Sequence, residues 1–484
     1  MSKRALALSI CSGLALVGGA AGPVSHAAEP QRYAYAVLAP ASESPSQLIV
    51  RVVQPAGSNC PSLNVTVSGT ATDLPLSERP APASTGSSFS SVMVCEIAAP
   101  AGADPLGTIT YAGGSTAEVP TAIQTVSSLA VIGDTGCRLV HNIQQECDSD
   151  REWPLRTFAR QIAQAAPQAV IHLGDYLYNE WPCEDPKICG DVPRVTEGEP
   201  FLDSAESFEY SFLAPFSAVF PVSPILALRG SQESCNVDGI SYFYFLDPQF
   251  GTSRLCDPQG NKAPVTMMQP YAVDLETDES TTLRLVAADS TYANDQFVDS
   301  WAKKMRPKFK KAEAIAQAVP QPGSAWLLTH RPVFAVRSTI QCGDIRCEPF
   351  SRDPNVSMWI SADTAAASYG TLKPYSAIIS AHVHLTQATQ VSGAPAQIVL
   401  GGGGTALSPK SGYEKPKFGA LATGQGQPMH PTFRPYPTIK QWTTKVVYSY
   451  AMAQPRANGW AFQAKGARDK TIARCNLVGR TIKC

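Results

Sequence analysis

The sequence predicts an α/β fold preceded by a small all-β sandwich. Residues from about 30 to 125 hold short alternating runs, such as 48–53, between clusters of Pro, Gly, Ser and Thr, which is typical of an antiparallel sandwich. From residue 126 onward, fully apolar runs alternate with segments of helical spacing, which indicates layered strands and helices. At 484 residues the chain is too long for one ordinary core. We therefore predict a signal peptide at 1–27, a β-sandwich domain at 28–125 and a second domain at 126–484.

The N-terminus has the features of an export signal. Lys3 and Arg4 precede a small, apolar stretch at 5–21, and residues 25–27 match the positions that a signal peptidase reads. A membrane anchor is the alternative, but the apolar stretch is short and rich in glycine. We expect cleavage near residue 27 and a secreted or periplasmic mature chain without a membrane span.

Cysteine usage agrees with an oxidising compartment. Of the 13 cysteines, Cys11 lies in the predicted signal, which leaves an even number. Because the sequence has no CxxC pair, zinc clusters explain the cysteines less well than local disulfides do. The expected disulfides are Cys60–Cys95, Cys137–Cys147, Cys183–Cys189, Cys235–Cys256, Cys342–Cys347 and Cys475–Cys484.

The predicted second domain holds a series of apolar runs that suit buried strands. They are 128–132, 169–173, 225–228, 283–288, 326–329 and 377–379. Between the first two, Leu155, Phe158 and Ile162 recur at helical spacing. Residues 302–319 predict a second helix, with Pro307 at its start or at a kink. The tail from about residue 418 is rich in Gly, Pro and aromatic residues, and we expect it to wrap the outside.

Metal-capable side chains follow these strands at the points where each one ends. They are Asp134 after the first strand, Asp175 and Tyr178 after the second, Ser231, Gln232 and Glu233 after the third, His330 after the strand at 326–329, and His382 and His384 after the last. Singly, each is a weak signal, since a Gly-Asp pair usually marks a turn. Together they indicate one crevice, because open α/β sheets place their sites at the carboxyl ends of strands. The sequence therefore predicts a metal site.

The order of these motifs resembles that of the calcineurin-like metallophosphoesterases. Asp-x-Gly, Gly-Asp-x-x-Tyr, a Gly-x-x-Glu block, His and His-x-His follow one another, and the spacing of Tyr178 from Asp175 is similar to that of purple acid phosphatases. The segments Gly-Asp-Thr-Gly-Cys-Arg and Ile-His-Leu-Gly-Asp-Tyr resemble an exported bacterial group. The resemblance covers about residues 128 to 410 and implies mixed sheets flanked by helices.

The resemblance also implies two metal ions. Fe(III) would take Asp134, Asp175, Tyr178 and His384, and a phenolate with carboxylates suits such a hard cation. Asp175 would bridge to a divalent metal, Zn, Fe or Mn. That second ion would also take Ser231, His330 and His382.

The chain departs from the family at the third motif, where Ser231 and Gln232 replace an Asn and a His. A serine hydroxyl is shorter than an amide, and a glutamine cannot deliver a proton to a leaving group at neutral pH. Gln232 and His382 are nevertheless the candidate catalytic residues. We expect an exported phosphomonoesterase of reduced efficiency. The alternatives are a phosphodiesterase and a catalytically disarmed protein that binds metal and phosphate.

The net charge indicates the class of partner, and three further features concern the surroundings of the site. A net charge of −1 provides no basic surface for nucleic acid, whereas a metal site brings its own charge to a small phosphorylated substrate. Asp289 is either a partner for a metal-binding histidine or a packing residue. His172 is expected in the core. The glycines at 401–404 indicate a tight turn beside the site, or backbone amides that approach a phosphate.

Overall fold

The computed structural model describes most of the chain after residue 31. The described residues are 32–81, 88–140, 143–179, 181, 185–190, 203–254, 256, 267–295, 299–337, 340–342, 347–349, 358–359, 364, 367–368, 370–408 and 439–484. Residues 32–484 form one compact unit. The predicted signal peptide lies outside the described residues, as does residue 183 of the expected Cys183–Cys189 disulfide. The side chains of the expected Cys342–Cys347 disulfide are likewise outside what the structure describes.

Strands dominate the described residues. Those before residue 126 are β1 (Tyr33–Leu38), β2 (Leu48–Pro55), β3 (Ser62–Val67), β4 (Thr70–Pro75), β5 (Ser77–Glu78), β6 (Val92–Ala98), β7 (Leu106–Thr110) and β8 (Thr116–Pro120). Those up to residue 290 are β9 (Leu129–Ile132), β10 (Arg138–Val140), β11 (Ile143–Gln144), β12 (Ala169–His172), β13 (Tyr178–Asn179), β14 (Ile225–Ala227), β15 (Tyr271–Glu276) and β16 (Thr282–Ala287). The others are β17 (Gly323–Leu328), β18 (Val336–Arg337), β19 (Ile340–Cys342), β20 (Cys347–Pro349), β21 (Met358–Trp359), β22 (Tyr375–Ser380), β23 (Thr386–Val391), β24 (Ala396–Leu400), β25 (Ile439–Lys445), β26 (Ser449–Arg456), β27 (Gly459–Gly466), β28 (Thr471–Val478) and β29 (Thr481–Lys483).

Helices are few in the same residues. They are α1 (Leu155–Ala165), α2 (Pro186–Cys189), α3 (Ala205–Phe208), α4 (Ala214–Phe216), α5 (Gly239–Ser241) and α6 (Asp299–Gln317), with π-helical turns at Glu209–Leu213 and Tyr242–Leu246 and a 3₁₀ turn at Ser217–Val219. Both predicted helices are present as α1 and α6. Pro307 lies inside α6 and not at its start.

The largest sheet joins strands from both sides of residue 125. Its order is β29-β28-β27-β26-β9-β12-β14-β1-β2-β6-β5. β9, β12, β14 and β1 run parallel to one another, whereas the strands beyond them pair antiparallel. β1, which lies before the predicted domain boundary, pairs directly with β14, which lies after it. The division into a sandwich and a second domain stays a prediction.

A second mixed sheet packs against the first. It has the order β15-β16-β17-β22-β24-β23-β25, and β16, β17, β22 and β24 are parallel. One buried cluster contains Val131 and Ile171 of the first sheet with Leu285 and Ile379 of the second. The antiparallel sheet β4-β3-β7-β8 adds Leu63 to the same cluster. Apolar burial between these faces is the main source of stability for such layers.

The six predicted buried strands are confirmed as β9, β12, β14, β16, β17 and β22, with ends that differ by up to three residues. The expectation for the tail is wrong for its described part. Residues 439–484 form strands β25 to β29, and β26 pairs with β9 beside the centre of the largest sheet. Alternating side chains, as in β27, allow such a strand to bury one face.

Four of the expected disulfides are present, namely Cys60–Cys95, Cys137–Cys147, Cys235–Cys256 and Cys475–Cys484. They agree with the expectation of an oxidising compartment. Among the described residues, none of the helices is long and apolar enough to cross a membrane.

Candidate metal centre

The loops that follow β9, β12 and β14 carry predicted ligands, and the loops after β12 and β14 are in close backbone contact. Asp134 follows β9 and Asp175 follows β12, and both have left-handed backbone, with φ of 55° and 59°. Gly174, with φ of 97°, precedes Asp175, and a Cβ there would lie 2.5 Å from the nitrogen of Gly230. Glycine is therefore required where the loop after β12 meets the loop after β14. This contact brings both loops to the same edge of the sheet.

The hydroxyl of Tyr178 lies close to three other predicted ligands. It donates to Oδ2 of Asp175 at 2.6 Å and lies 3.3 Å from Oδ1 of Asp134 and 3.1 Å from Nε2 of His384. Asp134, Asp175 and Tyr178 are buried, and His384 is partly buried. Two carboxylates, a phenol and an imidazole thus face one small volume, and each offers an oxygen or nitrogen suited to a metal ion.

Backbone carbonyls fix the tautomers of two histidines. Nδ1 of His384 lies 2.8 Å from the carbonyl of Ala406, and Nδ1 of His330 lies 2.9 Å from the carbonyl of Leu173. A carbonyl oxygen can only accept, so both Nδ1 atoms donate. The lone pair of each neutral ring is then on Nε2, which in His384 faces Tyr178. Metal-binding histidines are commonly oriented in this way.

Two buried polar atoms of the cluster have no hydrogen-bond partner among the described residues. They are Oδ2 of Asp134 and Nε2 of His330. Nε2 of His330 lies only 3.2 Å from Oδ2 of Asp175. A lone pair that faces a carboxylate this closely is unfavourable unless a proton or a metal ion lies between them. Buried polar groups are normally paired, so the orphaned atoms fit a metal centre.

The pKa values express the same need for positive charge. Burial, opposed in part by His330, raises the pKa of Asp134 well above its usual value. Burial also acts on Asp175, but the charge of His330 outweighs it and holds the pKa of that carboxyl below its usual range. Although burial lowers the pKa of His330, the charge of Asp175 raises it to about 9. In the absence of a metal, a proton on His330 compensates the carboxylates.

The second set of predicted ligands is less complete. Asp175, His330 and His382 each offer a donor atom, and these atoms lie within 4.8 Å of one another. Ser231 donates from its hydroxyl to Asp175, 3.3 Å from Oδ2, and the backbone nitrogen of Gln232 donates to Oδ1 at 2.8 Å. The structure therefore places Ser231 beside the shared carboxylate, and Gln232 contacts that carboxylate through its backbone.

Asp295 and Arg331 contact His382, and the sequence reasoning missed both. Nε2 of His382 lies 3.0 Å from Oδ1 of Asp295 and 2.8 Å from Nη1 of Arg331, and the same Nη1 lies 2.5 Å from Oδ1 of Asp295. Burial, and then the charge of Arg331, lower the pKa of His382 to about 4. Arg331 could have been found because it directly follows His330. Asp295 belongs to no motif and follows no strand directly.

Glu233 connects the loop after β14 to the loop after β12. Its carboxylate accepts from the backbone nitrogens of Gly230 at 2.7 Å, Asp175 at 2.9 Å and Tyr176 at 2.8 Å. Burial, and then the charge of Asp175, raise the pKa of Glu233 to about 7. The last residue of the Gly-x-x-Glu block is thus a support for the Asp175 loop.

Arg138 adds a positive charge beside the ligands. Its guanidinium carbon lies 5.9 Å from the centroid of the Tyr178 ring. Burial, and then the charge of Arg138, lower the pKa of His384 to about 3. A neutral His384 keeps the lone pair that metal binding requires.

Three other expectations concern the surroundings. Asp289 accepts from the backbone nitrogens of Met268 and Thr291 and lies 3.6 Å from Arg229, so the packing alternative describes it. His172 is fully buried, and its ring stacks on Tyr176 at 4.0 Å, as expected of a core residue. The glycines at 401–404 pack against the loop after β9, where the nitrogen of residue 403 donates to the carbonyl of residue 133, and the tight turn stays a prediction.

Comparisons with known proteins bear on the fold. No family model matches the chain, and no curated protein matches it by sequence. The structure of PhoD superposes with a TM-score of 0.53 at 11% identity over 93% of this chain and 91% of that chain. The purple acid phosphatase PPD1 from yellow lupin (Lupinus luteus) seeds gives 0.49 at 12% identity over 92% and 74%. GAP50, the anchor in the inner membrane complex of Plasmodium, gives 0.41 at 10% identity over 74% and 90%.

Of these three scores, the one with PhoD exceeds 0.5, and its low identity limits the conclusion to the fold. The chain shares its overall arrangement of mixed sheets with that structure.

Proposed function

We propose that this chain is a metal-dependent phosphoesterase that hydrolyses phosphomonoesters at a dinuclear metal centre. The observation that carries the proposal is the position of the Tyr178 hydroxyl, within 3.3 Å of Asp134, Asp175 and His384. The structure of PhoD is consistent with it at the level of the fold.

The two ions share Asp175 in this proposal, and their other ligands differ. Asp134, Asp175, Tyr178 and His384 hold Fe(III), and Asp175, His330, His382 and, at most weakly, Ser231 hold a divalent ion such as Zn, Fe or Mn. The fit rests on the orphaned atoms of Asp134 and His330 and on the hard oxygen donors. Two bound ions would activate water and neutralise the charge that develops on the transferring phosphoryl group.

The residues of the chain position the reactants. Backbone carbonyls hold His330 and His384 in one tautomer, and Glu233 holds the Asp175 loop. Gln232 would donate a hydrogen bond to substrate but would not protonate the leaving group, because an amide has no acidic proton at neutral pH. The absence of a general acid typically costs roughly 100- to 10,000-fold in rate. An acidic leaving group suffers least, so activated aryl esters are the preferred substrates.

The wider predictions belong to the same proposal. Helices flank the mixed sheets in a layered arrangement, which is supported because Phe158 of α1 shares a buried cluster with the largest sheet and Phe309 of α6 shares one with the second. Export to the periplasm or medium is supported by the four disulfides.

Hydrolysis of an aryl phosphomonoester tests the proposal. The protein is loaded with iron and zinc, stripped with a chelator and reloaded, and release of the aryl alcohol is measured each time. We expect activity that disappears with the metals and returns with them. A corresponding diester of the same alcohol distinguishes the phosphodiesterase alternative. A fully loaded protein that binds phosphate and hydrolyses neither ester would show that the chain is a binding protein, the alternative for which Ser231 and Gln232 are the sequence signature.

A further inference from the structure

Arg138 lies beside Tyr178 of the candidate metal centre. It begins β10, which runs parallel to β13, and its Cα is in register with that of Tyr178. The guanidinium lies 5.9 Å from the centroid of the Tyr178 ring, and the hydroxyl of that ring contacts Asp134, Asp175 and His384. A permanent positive charge therefore lies over the ring whose hydroxyl contacts three of the predicted ligands.

Among the described residues, no acidic side chain compensates the charge of Arg138. Within the described part of the chain, no carboxylate lies within ion-pair distance of it, and its buried Nε has no hydrogen-bond partner. The other arginines near the site differ: Arg331 pairs with Asp295 at 2.5 Å and Arg229 with Asp289 at 3.6 Å. A half-buried guanidinium without a carboxylate partner among the described residues favours the binding of an anion.

The backbone of Arg138 is held in place by several bonds. The adjacent Cys137 forms a disulfide with Cys147. Gln145 pairs with Arg138 on both sides, because its Oε1 accepts from the nitrogen of Arg138 at 2.8 Å and its own nitrogen donates to the carbonyl of Arg138 at 3.0 Å. Nε2 of Gln145 also donates to the carbonyl of Gly404 at 2.7 Å. These bonds fix the backbone position from which the side chain of Arg138 extends.

We infer that Arg138 is a specificity-determining residue that binds the non-bridging oxygens of the substrate phosphoryl group and so favours dianionic monoesters over monoanionic diesters. The inference rests on the proposed function. A guanidinium matches phosphate oxygens with two parallel donors, and its attraction grows with the charge of the anion. A diester has one charge fewer and one free oxygen fewer, so it gains less from the same contact.

The experiment compares Arg138→Met, which keeps the length and apolar stem, with Arg138→Lys, which keeps the charge but not the two-donor geometry. For each metal-loaded protein, kcat/KM is measured for an aryl monoester and an aryl diester of the same alcohol, and the Kd of inorganic phosphate is measured by calorimetry. In Arg138→Met we expect monoester kcat/KM to fall about 10- to 100-fold, diester kcat/KM to fall less than about 3-fold, and phosphate affinity to fall about 10-fold. Arg138→Lys should retain most of the phosphate affinity.

Equal losses for monoester and diester, or an unchanged phosphate Kd, would overturn the inference. So would a loss of bound metal or of unfolding temperature in Arg138→Met, since Arg138 would then be structural. The phosphate measurement keeps this test separate from the proposed function. If the unmodified protein hydrolyses neither ester, the proposed function fails, whereas the phosphate Kd of the variants still decides whether Arg138 binds the anion.

Discussion

The two halves of the candidate metal centre share Asp175 but differ in how completely their ligands converge. In the first half, Asp134, Asp175, Tyr178 and His384, one hydroxyl lies within 3.3 Å of the other three side chains. In the second half, Asp175, Ser231, His330 and His382, the short serine side chain contacts Asp175, and Asp295 and Arg331 contact Nε2 of His382.

The difference shows that Ser231, in place of the Asn of the resembled family, affects only the second half. The first half has a full set of four donors without Ser231, so it can hold an ion by itself. The second half depends on three donor atoms within 4.8 Å of one another and on the outer contacts of His382. We therefore expect tight binding of one ion in the first half and weaker binding of one ion in the second.

The largest expected effect comes from the shared ligand. Asp175→Asn removes a charge from both halves, so both ions should be lost, and activity should fall by more than the roughly 100-fold that loss of a supporting partner costs. Metal content by mass spectrometry and aryl phosphate hydrolysis check this. Asp150→Asn, on an exposed carboxylate paired with Arg160, is the control. Retention of one full ion in Asp175→Asn would contradict a shared bridge.

Restoring the family residues in the second half should produce a large increase in the rate of hydrolysis. The double variant Ser231→Asn with Gln232→His adds an amide oxygen and a proton donor. We expect the rate with a poorly activated alkyl phosphate to rise about 100- to 10,000-fold, and the rate with an activated aryl phosphate to rise less. Each single variant serves as a control for the other. If the double variant binds a second ion no better and is no faster, the second half is not limited by these residues.

Removal of the phenol should act on the first half. Tyr178→Phe keeps the ring and removes the oxygen, so iron affinity should fall by about 100-fold and visible absorption from an iron-bound phenolate should disappear. Zinc in the second half should change much less. Tyr176→Phe is the matched control, because that hydroxyl donates to the carbonyl of Leu228 and contacts no predicted ligand. Equal loss of both ions would show that the halves are not separable.

The smallest effect is expected for the outer contact of His382. Asp295→Asn weakens the hydrogen bond that orients the ring, so affinity for the second ion should fall about 10- to 100-fold while iron stays bound. Competition with a coloured chelator measures this. Asp274→Asn is a close match, since Asp274 also pairs with an arginine at similar exposure, with 31% of its side chain exposed against 35% for Asp295. A similar zinc affinity in both variants would mean that Asp295 does not orient His382.

Much of the fold and of the ligand set could be predicted from local patterns. Fully apolar runs predicted the six buried strands, because strands covered on both faces carry such runs. The residues that follow them include Asp134, Asp175, His330, His382 and His384, and the carboxyl ends of parallel strands meet at one edge. Disulfides between sequence neighbours could be predicted because few residues separate them.

The sequence alone determined which side chains can bind metal, their order and the replacement of an expected amide and imidazole by Ser231 and Gln232. Only the tertiary structure showed that Asp295 and Arg331 contact His382, that β26 lies beside β9, and that Arg138 lies over the ring of Tyr178. The physical reason is the range of the interactions. Strand and turn preferences act over a few residues, whereas these contacts join residues that are far apart in the chain and depend on how the sheets and loops pack.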